Sequence, residues 1–209
     1  MIDALIRVYR LKDEVRAGWL LRGVTRPESV ADHSWGTAYL ALLYAGEAGV
    51  DRSHAVEMAV VHDLAEAVTG DVATRVASMG DGDLKRRKAA RERAAMDLLR
   101  GEFGPDRAER TRALWDEYEQ ATTREALFVR DMNLIDMCLQ ALIYESSCRF
   151  VYDRGTEPDT AAADQYAGME EFFATSEPRL STDLGRRLFA ALSSRYAEVR
   201  SGPGIGGSE

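Results

Sequence analysis

Hydrophobic residues recur along most of the chain with the spacing of helix faces, and no stretch alternates in the way a strand does. Apolar residues at positions 56, 60, 64 and 68 form one such stripe, which Gly70 ends. Upstream, Ser29 and Asp32 have the spacing of a capping box, and Gly49 supplies a stop twenty residues after Ser29. The pattern predicts an all-α protein.

The remaining helices are predicted from the same periodicity. They cover residues 83–104, residues 105–120 with a proline in the first turn, and the long apolar segment 123–150. A loop follows at 152–160, and then one or two more helices. We expect a single domain over residues 1–200, a bundle of roughly seven helices, and a disordered tail at 201–209.

The charge of the chain limits its partners. The 209 residues carry a net charge of -8, and 45% of them are hydrophobic, which is ordinary for a globular domain. An acidic protein has no general attraction for a phosphate polymer, so binding to DNA or RNA is disfavoured. A small phosphorylated ligand remains compatible, because a local basic pocket can hold it.

The sequence also favours a cytoplasmic location. No apolar run reaches membrane-spanning length, and the N-terminal segment is charged throughout, unlike a signal peptide. Cys138 and Cys148 lie on one predicted helix, about 15 Å apart at the helical rise, which is too far for a disulfide. We expect two reduced thiols and no membrane association.

The candidate chemistry lies in VVHDLAEAVTGD, residues 60–71, which places four ionisable groups in an apolar helix. His62 and Asp63 can each offer one bond to a divalent ion beside the helix, and Glu66 lies one turn after His62. A His-Asp pair alone is more often a core histidine beside a solvated acid. The apolar neighbours favour a shared partner, because a buried charge without one is costly. His33 is the natural further ligand, whereas His54 is expected at the surface.

These motifs together resemble the HD-domain metal-dependent phosphohydrolases, and most closely their 5′-deoxynucleotidase branch. The stretches that carry the resemblance are RAGWLLRGVTRPESVADHSW, VVHDLAEAVTGD and LWDEYEQATTREALFVRDMNLIDMCLQALIYE, which together span residues 16 to about 145. An HD pair alone is unspecific, but the combination is not. The resemblance implies removal of the 5′-phosphate from a (deoxy)nucleoside monophosphate, one divalent ion (Co, Mn, Mg, Zn or Fe(II)) and a homodimer.

The resemblance also implies a role for each site residue. Glu66 would position or deprotonate the attacking water, and Asp71 would contact the sugar hydroxyl. Arg16 and Trp19 match a pair that contacts the phosphate, with the alternative that they are a surface charge and a core ring. The implied metal ligands are His33, His62, Asp63 and Asn133, and the implied catalytic group is Glu66, Asp71 and Arg16.

One position departs from the family pattern. The fourth metal ligand is an aspartate in the family, and its place is taken by Asn133, with Asp131 and Asp136 out of register on either side. Two readings follow: a working enzyme in which Asn133 binds the metal, or a degenerate protein that binds nucleotide without hydrolysing it. The presence of the other site residues favours the enzyme. Di-iron oxygenases share the scaffold, but three histidines supply a two-metal site poorly.

Overall fold

A computed structural model describes residues 2–150 and 166–201, and these residues fold almost entirely into helices. The α-helices are α1 (Ile2–Tyr9), α2 (Ala17–Leu21), α3 (Val30–Ala48), α4 (Arg52–Val61), α5 (Glu66–Thr69), α6 (Gly82–Phe103), α7 (Pro105–Gln120), α8 (Arg124–Ser146), α9 (Glu170–Ser176) and α10 (Asp183–Ser201), with 3-10 turns at Arg10–Lys12, Val76–Ser78 and Glu177–Arg179. Within the described ranges, seven of the α-helices have eight or more residues. The predicted all-α class is confirmed.

Local sequence determines where the helix that carries His33 begins and ends. The Ser29 side chain accepts a hydrogen bond from the backbone N–H of Asp32, and the Asp32 side chain accepts one from the backbone of Ser29, which completes the predicted capping box. At the other end Gly49 adopts φ 66°, the left-handed conformation that glycine takes without strain. Helix α3 therefore presents His33 from its first turn.

The core lies where α3, α4, α8 and α10 pack together. Met58, Met132 and Ile135 are among its buried side chains, and each contributes about 1.5–3 kcal/mol through burial. A smaller apolar cluster beneath α6 and α7 contains Met96 and Trp115. The two clusters leave between them the polar residues of the predicted site.

The segment that contains the HD pair is not one continuous helix, contrary to the sequence-based expectation. Helix α4 ends at Val61, and residues 62–65 form turns. These turns are closed by backbone hydrogen bonds between residues three apart, such as Glu66 N–H to Asp63 O at 3.0 Å. The His62 ring nitrogen Nδ1 lies 2.7 Å from Ala59 O, the carbonyl that Asp63 N–H would take in an α-helix. The His62 side chain thus takes the place of the Asp63 backbone N–H at this carbonyl, and the α-helix gives way to tighter turns after Val61.

The remaining structural expectations can be compared directly. Cys138 and Cys148 are both free, as predicted. The predicted helix over 123–150 is too long, however, because α8 ends at Ser146 and Cys148 lies beyond it. In the part of the chain that the structure describes, no helix is long and apolar enough to cross a bilayer. Ser201, which the sequence analysis placed in the tail, belongs to α10. Residues 202–209, like the predicted loop at 152–160, lie outside the described residues.

Candidate functional site

Three of the predicted metal ligands converge in a buried cluster. The distance between His33 Nε2 and His62 Nε2 is 3.3 Å, and Asp63 Oδ2 lies 3.2 Å from His62 Nε2 and 3.6 Å from His33 Nε2. Atoms bound to one ion at about 2.0–2.2 Å, with tetrahedral or octahedral angles, lie about 3–3.6 Å apart. The three atoms therefore have the spacing of ligands to one divalent ion.

The Nδ1 atoms of His33 and His62 each contact a neighbouring oxygen, and these contacts orient the Nε2 atoms toward the cluster. Ala59 O can only accept a hydrogen bond, so Nδ1 of His62 carries a proton and Nε2 is the ring nitrogen that faces the cluster. His33 Nδ1 lies 2.6 Å from Asp136 Oδ2, the carboxylate–histidine contact that commonly supports metal ligands. Burial, with the positive charge of Arg16, lowers the pKa of His33 to about 3, so its ring is neutral near pH 7. The donor set fits a divalent cation.

Glu66 lies at the edge of this cluster and is buried. Among the described residues its oxygen Oε2 has no hydrogen-bond partner. Burial, together with the negative charges of Asp63 and Asp71, raises the pKa of its carboxyl to about 10. A cation or a water molecule between these groups would supply the missing partner, and that is the place the sequence analysis gives to the attacking water.

Arg16 faces the same carboxylates. Its Nη1 lies 3.2 Å from Asp63 Oδ2 and 3.9 Å from Asp71 Oδ1. Burial disfavours its charge, but Asp71, Asp63 and Glu66 outweigh burial and raise its pKa, so the guanidinium stays ionised. Gly70, at φ 72°, turns the chain after α5, and Asp71 Oδ2 then accepts a hydrogen bond from Ala17 N–H at 2.6 Å. Asp71 thereby ties the first turn of α2, and with it Arg16, to the cluster.

Trp19 is part of the wall rather than an available donor. Its ring is buried against Phe172, with centroids 3.9 Å apart, and against Tyr144. The indole N–H is its one donor, and it is given to Glu28 Oε1 at 2.9 Å. In this arrangement Trp19 can pack against a ligand but does not present a hydrogen bond to it.

The predicted fourth ligand, Asn133, lies in the same cavity on α8. Its amide nitrogen donates to the hydroxyl of Tyr118 at 2.7 Å, and the Tyr118 ring packs edge-on against His62 with centroids 5.2 Å apart. The two flanking aspartates have other partners. Asp131 caps the start of α10, whereas Asp136 supports His33.

A cavity of about 510 Å³ opens beside the cluster, a volume within the usual range for a small-molecule site. Among the residues that line it are Arg16, Trp19, His62, Asp63, Glu66, Asp71, Tyr118 and Asn133. The cavity wall is strongly charged in both signs, in contrast to the apolar core around it. Its cationic side chains are Arg16, Lys85, Lys88, Arg130 and Arg179, and its acids are Asp63, Glu66, Asp71, Glu92 and Glu119. The wall of an acidic chain thus carries as many cationic as acidic side chains, and its cationic groups are available to a small anionic ligand.

An all-α fold with a buried His/His/Asp group in a charged cavity defines a class of helical proteins equipped to hold one metal ion. The particular family follows from comparison: a family model described as HD domain matches residues 8–171, and the chain belongs to that family. The 5′-deoxynucleotidase HDDC2 of Xenopus laevis is 37% identical over 138 residues, which cover 66% of this chain and 66% of that protein. The chain thus spans about two thirds of that curated relative.

Solved structures agree with this assignment. The crystal structure of the PH0347 protein from Pyrococcus horikoshii OT3 has a TM-score of 0.65 at 31% identity, over 94% of this chain and 99% of that one. A protein described as a predicted metal-dependent phosphohydrolase, from Magnetospirillum magnetotacticum MS-1, has a TM-score of 0.63 at 25% identity, over 95% of this chain and 93% of that one. The family resemblance inferred from the motifs is confirmed.

The structure places seven of the eight predicted site residues on the wall of one cavity, and the eighth, His33, is buried in contact with His62 and Asp63. It also adds several residues that sequence reasoning missed. His54 does not belong to the site, because its Nε2 lies 2.7 Å from Glu117 Oε2 on α7. The residues that were missed are Glu28, Tyr118, Arg130, Asp136 and Arg179. Asp136 had a signal in the sequence, because it lies one helical turn after Asn133 and so shares its face of α8.

Proposed function

We propose that this protein is a metal-dependent phosphohydrolase that removes the 5′-phosphate from (deoxy)nucleoside monophosphates and releases a nucleoside and inorganic phosphate. The observation that carries the proposal is the convergence of His33, His62 and Asp63 beside Arg16 and Glu66 in one cavity. The relatives named 5′-deoxynucleotidases support this choice of substrate. The net charge of -8 favours a small nucleotide over a nucleic-acid polymer.

Each site residue has a role in this reaction. His33, His62 and Asp63 would hold the ion, with Asn133 as the candidate fourth ligand through its amide oxygen. A divalent ion in that position supplies Lewis acidity toward a phosphate oxygen and makes water a better nucleophile near neutral pH. Glu66 would receive or direct the proton of the attacking water through its unpartnered oxygen. A divalent ion beside Asp63 would favour the ionised carboxylate that this role needs, against the burial and the negative charges that raise its pKa.

The remaining residues bind and orient the nucleotide. Arg16 can exchange its contact with Asp63 for the phosphoryl oxygens and neutralise charge that develops on them. Trp19 would contribute an apolar wall. Asp71 holds the first turn of α2 through Oδ2, and its Oδ1 would accept a hydrogen bond from a sugar hydroxyl. The scissile phosphate would then lie between the arginine and the metal cluster.

The test is phosphate release from a panel of nucleoside and deoxynucleoside monophosphates. Protein stripped of metal is resupplied in turn with Co, Mn, Mg, Zn or Fe(II), and the parent is compared with Glu66→Gln. We expect one metal to restore release and the substitution to lower kcat by about 10²–10⁴-fold, the usual contribution of a general base. The matched control is Glu109→Gln, at an exposed acid of α7 outside the cavity. Equal rates in the parent and Glu66→Gln would reject this assignment.

The proposal includes a homodimer and a cytoplasmic location. Helix α3 exposes Trp35, with 70% of its surface accessible, stacked on Tyr39 with centroids 5.6 Å apart. Leu42 and Leu43 follow on the same helix and are also exposed. Apolar patches of this kind mark interaction surfaces. Sedimentation velocity should give a dimer for the parent and a monomer for Trp35→Glu; a parent that is monomeric at micromolar concentration would contradict this assignment.

A further inference from the structure

Two arginines on the wall beside Tyr118 have no acidic partner among the residues that the structure describes. Arg130 lies over the Tyr118 ring, 5.3 Å from its centroid, and its Nη1 donates to the carbonyls of Tyr118 at 3.1 Å and Glu119 at 3.4 Å. Neither its guanidinium nor that of Arg179 makes an ion pair with a carboxylate in the described ranges 2–150 and 166–201. Both side chains line the cavity that holds the metal-ligand cluster.

Asp131 brings these two arginines together from distant parts of the chain. Its carboxylate accepts hydrogen bonds from Ser181 N–H at 2.9 Å, Thr182 N–H at 2.7 Å and Thr182 Oγ1–H at 2.6 Å. The turn that carries Arg179 is thereby fastened to α8 beside Arg130. A built Cβ on Gly185 would lie 2.2 Å from Asp131 Oδ2, so only glycine permits this approach. Both oxygens of the Asp131 carboxylate therefore accept hydrogen bonds from Ser181 and Thr182, just before α10.

The other acids near this wall do not neutralise the positive charges of Arg130 and Arg179 through ion pairs among the described residues. Glu92 is paired with Lys88 at 3.4 Å, and Glu119 makes no ion pair with either arginine. Asn133 lies one turn after Arg130 on α8 and contributes no charge. Burial, with the positive charges of Arg130 and Arg16, lowers the pKa of Arg179, as expected for like charges in one cavity.

We infer that Arg130 and Arg179 form a second anion-binding subsite, and that the preferred nucleotide carries a second phosphoryl group besides the one that is hydrolysed. The inference rests on the proposed function, because Arg16 and the metal cluster already provide for the reacting phosphate. Two guanidinium groups offer planar, paired N–H donors that match phosphate oxygens. On a 3′,5′-bisphosphate the second phosphate stands on the 3′-oxygen, and water displaces the nucleoside 5′-oxygen from the reacting phosphorus to release inorganic phosphate. On a 5′-diphosphate or 5′-triphosphate the second phosphate is the neighbour of the terminal one, and water at the terminal phosphorus releases inorganic phosphate with the shortened nucleotide as leaving group.

The test compares four nucleotides on the full-length chain: a deoxynucleoside 5′-monophosphate, its 5′-diphosphate, its 5′-triphosphate and its 3′,5′-bisphosphate. Dissociation constants are measured calorimetrically on metal-free protein, and kcat/KM on the metal-loaded protein. The variants are Arg130→Gln and Arg179→Gln. The control, Arg93→Gln, removes the same charge from an exposed position of α6 that lines none of the cavities.

We expect the parent to bind at least one nucleotide with a second phosphate about tenfold or more tightly than the monophosphate, and both arginine variants to lose this preference while the control keeps it. The 5′-polyphosphate and 3′,5′-bisphosphate arms identify which phosphate is recognised. Equal affinity of the parent for all four nucleotides, or a preference that survives in both variants, would overturn the inference. Binding preference without phosphate release from any nucleotide would support the subsite and reject the proposed hydrolase.

Discussion

Replacing Asp136 by asparagine should weaken divalent-ion binding without unfolding the protein. Asp136 Oδ2 lies 2.6 Å from His33 Nδ1, and the His33 side chain is fully buried. A carboxylate in that position holds the ring nitrogen's proton and increases the basicity of Nε2, the atom that faces the metal cluster. Asparagine keeps the shape and an acceptor oxygen but removes the charge.

The expected magnitude follows from this geometry. Loss of such a supporting carboxylate costs about 10–100-fold in metal affinity, or about 1.4–2.8 kcal/mol. Gly36→Ala provides a second route to the same contact, because a built Cβ on Gly36 would lie 2.0 Å from Asp136 Oδ1 and would displace that carboxylate. We expect the affinity loss of Gly36→Ala to equal or exceed that of Asp136→Asn.

The assay is competition of the metal-free protein with a chelating dye for Mn or Co, at pH 8. Burial raises the pKa of Asp136 to about 7, so this pH keeps the parent carboxylate ionised. The control is Asp116→Asn, which removes a carboxylate from a pair with Arg112 on α7, away from the cavity. A dissociation constant for Asp136→Asn within twofold of the parent would show that Asp136 does not support the ligand.

Three further substitutions test other parts of the structure. Asp131→Ala removes the acceptor of three hydrogen bonds at the start of α10 and should lower the free energy of unfolding by about 3–5 kcal/mol in urea, whereas a loss under 1 kcal/mol would refute that anchoring role. Asn133→Asp adds a negative charge to the cavity and should raise metal affinity about tenfold, measured with the same dye; unchanged affinity would remove Asn133 from the proposed ligands. Ser29→Ala removes the cap on α3 and should cost about 1 kcal/mol, seen as a lower urea midpoint, while an unchanged midpoint would contradict that role.

The amino-acid sequence by itself determined most of the helical architecture. The capping box at Ser29 and the stop at Gly49 are local, because each depends on residues within about four positions of one another. For the same reason the all-α class and the HD-domain family could be predicted from the chain. One local error, a continuous helix through His62, arose because a side-chain donor displaced a backbone donor, which periodicity does not encode.

Only the tertiary structure decided which charges meet. Whether Asp131 or Asp136 serves the metal cluster depends on what packs against each face of α8: α3 places His33 against Asp136, and α10 places its first N–H groups against Asp131. Arg130 and Arg179 become neighbours on one wall in the same way. Electrostatic and hydrogen-bond energies depend on distances through space, and residues far apart in sequence acquire those distances only when the helices pack.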